Sequence, residues 1–281
     1  MTSMIAGEIT KTVKRRMTWI LVAVMVVYFT IIFFAIYGVV DSPPRMMSPD
    51  ILAQISASLQ FPGAFDTIFS TARTIGTLLV IVLTASSIGS EYSWGSIRQV
   101  LTRKGIRYQF VVSKLISLVL LTLIGLLIAV LVGFVLSFIT DSLLGSVEWS
   151  FITPGFIGEI AVTFGWTLLG LLPYITLAAF FSFLGRSAIS GIAGALGIYV
   201  IETVLVTIFN SSGGWLAKIP QYLLGPNIDA LVPSTLFSQS PFFVSGELPG
   251  TTHATIALAI YCVVLVTASL AVFQKRDILL G

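Results

Sequence analysis

The sequence predicts an all-α polytopic membrane protein with six membrane-spanning helices in a single domain, residues 1–281. Apolar residues make up 56% of the chain and charged residues only 10%, whereas a soluble globular chain carries roughly 25% charged residues. The apolar residues also form long stretches, as expected where lipid covers most of the surface. The formal net charge of +3 is too small to indicate a nucleic-acid partner, so membrane lipids are the expected surroundings.

Six segments are long enough to span a membrane, because a hydrocarbon core about 30 Å thick requires roughly 17–25 helical residues. They are residues 18–40, 67–90, 115–138, 158–183, 188–209 and 253–273, numbered here as spans 1 to 6. Span 1 follows a basic segment, as a signal peptide would. Its apolar stretch exceeds the roughly 7–15 residues of a signal sequence, so we expect it to remain as an anchor.

The segment before span 1 carries a helical pattern. Ile5, Ile9 and Val13 recur every fourth residue, while Glu8 and several basic residues occupy the other faces. This spacing predicts an amphipathic helix that lies at the membrane interface. The alternative is a frayed basic tail that serves only to orient the chain.

The distribution of basic residues predicts the orientation, because Lys and Arg accumulate on the cytoplasmic side. Twelve of the fifteen lie before span 1, in the loop 91–114, at Arg186 or after span 6, and only Arg45 and Lys218 lie on the opposite side. The sequence therefore predicts a multi-pass protein of the cell membrane with both termini in the cytoplasm.

The loop 91–114 between spans 2 and 3 holds five of the fifteen basic residues. Trp94, Ile97 and Leu101 recur there at helical spacing, which predicts a short cytoplasmic helix from Trp94 to Arg103 with one apolar face. Gly105 is a suitable stop for it, and a second segment leads into span 3. The preference for basic residues in cytoplasmic loops would explain the charges alone, but not the apolar face.

The stretch "IGSEYSWGSIRQVLTRKGIRYQFVVSK" resembles the segment after the second span of ABC-2-type permeases, the membrane subunits of ATP-binding-cassette exporters. The matching residues are Glu91, Gly95, Ser96, Arg98, Leu101, Thr102, Arg107 and Lys114. The ending "AVFQKRDILLG" is similar to the closing motif of that family through Phe273, Arg276 and Asp277. Where many members carry Pro in the turn, this chain has Gly105. The six-span layout and the long loop before span 6 also agree with that family over the whole chain.

The resemblance implies a permease subunit that forms a translocation pathway as a dimer, most simply a homodimer, with two copies of a separate ATPase docked on the cytoplasmic face. ATP and Mg²⁺ would then bind to the ATPase, and this chain would carry no cofactor. In that family the loop between spans 2 and 3 carries the coupling helix. The candidate ATPase-coupling residues are Glu91, Trp94, Gly95, Ile97, Arg98, Leu101, Arg103, Lys104 and Arg107.

Motifs for catalysis do not occur in the sequence. The single histidine, His253, cannot form an H-E-x-x-H zinc site or a Ser-His-Asp triad of the usual kind. With Cys262 as the one cysteine, neither an intramolecular disulfide nor a cysteine metal site can form. No Gly-Lys pair ends a phosphate-binding loop. We therefore expect a chain without enzymatic activity of its own.

Charged residues in or near the spans suggest an ion pair. The predicted boundaries place Arg73 roughly 9 Å and Glu202 roughly 10 Å below the same membrane surface, whereas Glu159 lies almost at the surface. Depth therefore favours a pair between Arg73 and Glu202, either within one subunit or across the dimer. Alternatively, Arg73 extends to the headgroups while Glu202 is protonated or lines water. A different class of function, an ion-coupled secondary transporter, would use all three residues as its ion or proton site.

Two further segments carry structural predictions. The connection 210–252 is too apolar for a solvated loop, so it either enters the membrane as broken helices or covers the bundle from outside. In span 5, Ser187, Gly191 and Ala195 line one face and Ser190 and Gly194 a neighbouring one. Small residues at this spacing predict close packing against other helices.

Overall fold

The computed structural model describes residues 2–45, 47–95, 107–145, 152–212, 214–231 and 248–274. Within these ranges the chain is helical apart from short turns and connections, and it contains no strand. The predicted all-α class is therefore confirmed.

Six of the helices are long and apolar enough to cross a membrane. Spans 1 to 6 run Arg16–Asp41, Ala64–Ser93, Arg107–Leu144, Pro154–Gly185, Ala188–Ser212 and Thr251–Gln274. This confirms the six predicted spans. Every helix extends beyond its predicted bounds, because polar residues continue the helices past the apolar stretches on which the prediction was based.

One end of the bundle is rich in basic residues. The N-terminal helix, the end of span 2, the start of span 3 and the tight turn at Arg186 lie there, and we call it the basic end for Lys11, Arg15, Arg107 and Arg186. At this end Arg107 donates a hydrogen bond from Nη1 to the backbone oxygen of Gln274, at 3.2 Å. The start of span 3 therefore contacts the end of span 6.

Spans 2 and 4 form the centre of the bundle. They pack against each other and both contact span 5, while span 3 packs against spans 1 and 2, and span 6 packs against span 4. Phe69 and Ile81 of span 2 share one apolar cluster with Tyr174 and Ala178 of span 4. Spans 1, 5 and 6 are much less buried, so their outer faces are available to lipid or to another subunit.

Span 5 approaches its neighbours closely through its small residues, as predicted. A Cβ atom added to Gly191 would lie 1.9 Å from Oγ of Ser182 and 2.8 Å from Cβ of Ala85. One added to Gly194 would lie 2.4 Å from the ring of Phe181. Any larger residue at these positions would therefore push span 5 away from spans 2 and 4.

Two short helices flank span 1. The N-terminal helix Thr2–Val13 confirms the predicted amphipathic helix, and it packs against span 3 with Thr12 buried. The connection between spans 1 and 2 holds a further helix, Pro49–Ala57, which lies outside the predicted helices. Its start carries a local signal, because Oγ of Ser48 accepts a hydrogen bond from the backbone N–H of Ile51.

The connection between spans 5 and 6 returns into the bundle. Its described part consists of a 3₁₀ helix, Leu216–Tyr222, and an α-helix, Leu224–Leu231, which together we call the folded-back segment. Ile228 lies deep enough that a Cβ atom added to Gly170, halfway along span 4, would be 2.9 Å from it. Of the two alternatives for this connection, its described part follows the broken helices, because it enters the bundle and does not merely cover it.

Candidate functional site

Two groups of charged residues are held by the bundle. The first, the basic-end cluster, consists of Glu8, Lys11, Glu91 and Lys114. The second, the bundle ion pair, consists of Arg73 and Asp229. Both lie largely out of solvent, where an isolated charge costs several kcal/mol and requires an opposite charge close by.

Lys114 lies at the centre of the basic-end cluster and its side chain is 0% exposed. Its Nζ atom donates to Oε1 of Glu91 at 3.1 Å and to Oε2 of Glu8. Span 2 brings Glu91 to this point by continuing as a helix to Ser93, and Lys114 lies two turns into span 3. The pair Glu91–Lys114 therefore joins spans 2 and 3 at the ends that flank the loop between them.

The N-terminal helix completes this cluster. Glu8 and Lys11 lie three residues apart on one face of the helix, so Glu8 reaches Lys114 while Lys11 donates to Glu91. The four residues carry two positive and two negative charges, and Nη2 of Arg15 adds a third cation 3.7 Å from Oε1 of Glu91. Each carboxylate therefore has a cation close by in a largely buried place. The helix that the sequence indicated as interfacial is therefore attached to the bundle through charges as well as through its apolar face.

Trp94 lies beside this cluster and is 64% exposed. The guanidinium carbon of Arg15 is 4.7 Å from the centre of its ring, and Nζ of Lys11 is 5.7 Å away, within the range of cation–π attraction. Arg15 is fixed in turn by a 2.6 Å hydrogen bond to Oγ of Ser90. A large aromatic side chain is thus oriented by two cations and still presents much of its surface to the outside.

The structure corrects the predicted start of the coupling helix. Trp94 follows the last residue of span 2 as its C-cap, and Gly95 adopts a φ of 70°, so neither residue begins a new helix. A helix commonly ends on such a left-handed glycine. The other predicted coupling residues of the loop lie outside the described residues: Ile97, Arg98, Leu101, Arg103 and Lys104. Arg107, the last member of the set, begins span 3.

The predicted pair of Arg73 with Glu202 is wrong within one subunit, because Arg73 forms its ion pair with Asp229 of the folded-back segment. Arg73 is 8% exposed and lies nine residues inside span 2, about 14 Å from the start of that helix. The prediction compared depths among the spans only. It did not consider Asp229, whose carboxylate lies at the depth of Arg73 because the connection between spans 5 and 6 folds back into the bundle.

Glu202 has a different partner. Its Oε1 atom accepts a hydrogen bond from the backbone N–H of Gly225 at 2.6 Å, near the start of the helix Leu224–Leu231. Glu202 is 7% exposed. A carboxylate at a helix N-terminus satisfies backbone N–H groups that have no partner within the helix. Arg73 and Glu202 therefore hold the same segment from two spans, while Glu159 is exposed near the start of span 4.

Aromatic residues surround the folded-back segment. Tyr174 of span 4 and Tyr199 of span 5 form an edge-to-face pair with ring centres 5.9 Å apart. Both pack in the apolar cluster that contains Leu224 and Ile228. His253, at the start of span 6, packs against the ring of Tyr222 at 5.4 Å. Among the residues that the structure describes, no group of His, Cys, Asp and Glu is arranged to hold a metal ion.

One sequence signal points to Asp229. It is the only acidic residue in the apolar run "WLAKIPQYLLGPNIDALVPSTLF". A single carboxylate in an apolar segment needs a cation nearby, and Arg73 is the one basic residue within a predicted span. Pairing the one acidic residue of this run with the one basic residue of the spans would have predicted the contact between Asp229 and Arg73.

The helical layout defines the class of this chain, which is a polytopic membrane protein with six spans and a segment folded back into the bundle. Residues 51–279 match the family described as "Protein of unknown function (DUF2705)", and the chain belongs to this family. It is also similar to the "Uncharacterized protein YhcI" of Bacillus subtilis (strain 168), with 23% identity over 218 residues. That match covers 72% of this chain and 64% of the relative, which is less than two thirds of the relative's length.

Proposed function

We propose that this chain is the permease subunit of an ATP-driven exporter of the ABC-2 type. It lies in the cell membrane with both termini in the cytoplasm, forms the translocation pathway as a dimer, and couples to two copies of a separate ATPase that bind ATP and Mg²⁺. The motif around Glu91 suggests the family. The observation that carries the proposal is the exposed Trp94 beside the buried charges of the basic-end cluster.

A docking site for an ATPase needs an accessible apolar group and a stiff connection to the pathway. Trp94 supplies the group, and aromatic side chains are frequent anchors of protein interfaces. Glu91 and Lys114 supply the connection, because they join the two spans on either side of the loop. A displacement of Trp94 would therefore move spans 2 and 3 together, and with them the N-terminal helix through Glu8 and Lys11.

Orientation can be tested by labelling cysteines. Replacing Cys262 by Ser removes the one native thiol, and single cysteines are then introduced at Ser3 and Ser211, which are both exposed but lie at opposite ends of the bundle. In intact cells a membrane-impermeant maleimide should label Ser211→Cys only, and Ser3→Cys should react after lysis. Labelling of Ser3→Cys in intact cells would contradict the proposed orientation.

Coupling can be tested with the double variant Trp94→Asp/Leu101→Asp. Placing charges at two of the candidate coupling residues should abolish co-purification of an ATP-hydrolysing P-loop protein with the affinity-tagged permease, because burying each large side chain contributes on the order of 1–3 kcal/mol. The matched control is Trp215→Asp, since Trp215 is also exposed but lies at the opposite end. The control should retain the ATPase at wild-type yield.

Two results would refute the proposal. The first is a wild-type permease that inserts correctly and brings down no ATP-hydrolysing protein. The second is undiminished co-purification by the correctly inserted double variant. Native mass spectrometry that finds one permease copy in the active complex would contradict the dimer.

One observation favours a second candidate, an ion-coupled secondary transporter. Arg73, Asp229 and Glu202 bring three ionisable groups into the interior of the bundle, where such groups often mark ion or proton pathways. The ion pair between Arg73 and Asp229 and the hydrogen bond from Gly225 to Glu202 are equally compatible with a purely structural role. Transport by the purified chain in liposomes, driven by an ion gradient without ATP or any second protein, would establish this candidate and exclude the exporter.

A further inference from the structure

A groove of about 180 Å³ opens between spans 1, 2 and 3. It begins at the basic end beside Val13 and Thr18 and runs along span 1 as far as Met25. On span 3 its wall extends from Leu121 to Ala129. The groove therefore lies along the membrane-spanning part of the bundle, with one end at the junction between the N-terminal helix and span 1.

The wall of this groove is almost entirely apolar. The two polar groups nearest its mouth are already engaged, since Oγ1 of Thr18 donates to the backbone oxygen of Thr12 and Nε1 of Trp19 donates to that of Val13. Gly125 keeps the groove open, because a Cβ atom added there would meet nothing within 4 Å. Oγ1 of Thr122 is the one buried hydroxyl of the lining without a hydrogen-bond partner among the described residues. The rest of the wall offers water almost no hydrogen bonds, so the space suits a hydrocarbon chain.

The length of the groove matches half of a bilayer. Eight residues separate Leu121 from Ala129, which corresponds to about 12 Å of helix. One leaflet of a hydrocarbon core about 30 Å thick measures roughly 15 Å. An acyl chain that enters the groove at the basic end would thus lie along most of the leaflet on that side.

The junction beside the groove is positively charged. Lys14 and Arg16 are exposed at the junction between the N-terminal helix and span 1, and neither forms an ion pair with any residue that the structure describes. Arg15 between them turns inward to Ser90 and Glu91. Span 1 begins at Arg16 without a hydrogen bond from a capping side chain. The N–H of Thr18 donates to the backbone oxygen of Arg15, so the positive end of the helix dipole, rather than a full set of free N–H groups, adds to the attraction for an anion.

We propose that this groove binds one acyl chain of an anionic phospholipid, with the phosphate of its headgroup against Lys14 and Arg16. The apolar wall recognises the chain, and the two cations select a headgroup with net negative charge. The bound lipid fills the space between spans 1, 2 and 3 and helps to fix the N-terminal helix at the membrane surface. This site does not depend on the proposed transport function.

The test measures lipid binding to the full chain in mild detergent by native mass spectrometry. Dioleoyl phosphatidylglycerol and the neutral dioleoyl phosphatidylcholine are titrated separately after delipidation. The wild-type protein should bind the first phosphatidylglycerol at least tenfold more tightly than the first phosphatidylcholine. The variant Lys14→Gln/Arg16→Gln should lose roughly fivefold in phosphatidylglycerol affinity per removed charge, with phosphatidylcholine binding unchanged.

A second variant tests the apolar wall. Gly125→Phe fills the open space and should weaken the binding of both lipids at least tenfold, while the melting temperature stays near that of the wild type. Two matched controls should leave binding unchanged. Gly197→Phe adds the same ring to span 5, where no atom lies within 4 Å of an added Cβ, and Lys218→Gln removes an exposed charge at the opposite end.

Three results would overturn the inference. Equal affinity of the wild type for the two lipids would show that the cations do not select the headgroup. Unchanged binding by a folded Gly125→Phe protein would place the lipid elsewhere on the surface. If the groove is instead covered by a second copy of this chain, Gly125→Phe would convert dimers to monomers without lowering lipid affinity in the monomer.

Discussion

The two partners of the bundle ion pair should differ in how much stability is lost when each is replaced. Replacing Asp229 by Asn should destabilise the protein more than replacing Arg73 by Met. In the first variant a buried guanidinium remains, and arginine stays charged in proteins. In the second variant a carboxyl group remains, which can take up a proton and become neutral. The cost of each variant therefore depends on what the remaining partner can do.

The magnitudes follow from the burial of the two side chains. Removing one partner of a buried pair costs about 3–5 kcal/mol. Asp229 is the more accessible partner, with 24% of its side chain exposed against 10% for Arg73, so water reaches part of the site. We expect a loss of about 3 kcal/mol for Asp229→Asn and about 1–2 kcal/mol for Arg73→Met. At roughly 2 °C per kcal/mol for a chain of this size, the shifts are about 6 °C and about 2–4 °C.

The assay is thermal unfolding in mild detergent, followed by intrinsic tryptophan fluorescence. The double variant Arg73→Met/Asp229→Asn should lose at least about 1 kcal/mol less than the sum of the single variants, because neither residue leaves the other unpaired. Arg45→Met, which removes an exposed arginine, serves as the matched control and should leave the melting temperature unchanged.

Two outcomes would refute this reasoning. Additive losses would mean that Arg73 and Asp229 do not interact, and a larger loss for Arg73→Met than for Asp229→Asn would reverse the expected asymmetry. The same cycle run with Glu202→Gln separates the structure from the sequence-based pairing. The coupling between Arg73→Met and Glu202→Gln should be clearly smaller than that between Arg73→Met and Asp229→Asn, since Glu202 contacts the backbone of Gly225 and not the guanidinium.

Two further predictions use the same unfolding assay. Gly191→Val should lower the melting temperature through overpacking that costs about 1–3 kcal/mol, because an added Cβ would clash with Ser182. Gly197→Val, on an open face of the same helix, should change the melting temperature little. Equal shifts for the two variants would argue against the close packing. Lys114→Met should lower the free energy of unfolding by about 3–5 kcal/mol, because two carboxylates lose their buried partner. Lys14→Met should leave the free energy of unfolding almost unchanged. Similar losses for the two variants would contradict the buried cluster.

Chain-wide periodic features were predictable from the sequence. Hydropathy alone located all six spans, because a membrane requires about 20 apolar residues for each crossing and leaves few alternatives. The recurrence of apolar residues at every fourth position, Ile5, Ile9 and Val13, predicted the N-terminal helix. The small residues Gly191 and Gly194 predicted where span 5 packs closely. Each of these predictions depends on one segment and on its own periodicity.

Contacts between distant segments were not predictable in the same way. The partner of Arg73 lies 156 residues further along the chain, in a connection whose path depends on its packing against spans 4, 5 and 6. The basic loop gave no sign that Lys114 is buried, because a lysine near the end of a span usually reaches the surface. Its burial becomes evident only when the N-terminal helix places Glu8 beside it.

The bond between Glu8 and Lys114 also sets an order of assembly. These residues are 106 positions apart, and at about 5–20 residues per second the ribosome needs roughly 5–20 s to pass from the first to the second. During that interval spans 1 and 2 enter the membrane while the N-terminal helix has no charged partner on span 3. The N-terminal helix therefore reaches its final contact with span 3 only after Lys114 has been synthesised, and a nascent chain arrested before span 3 would leave the carboxylate of Glu8 without this partner.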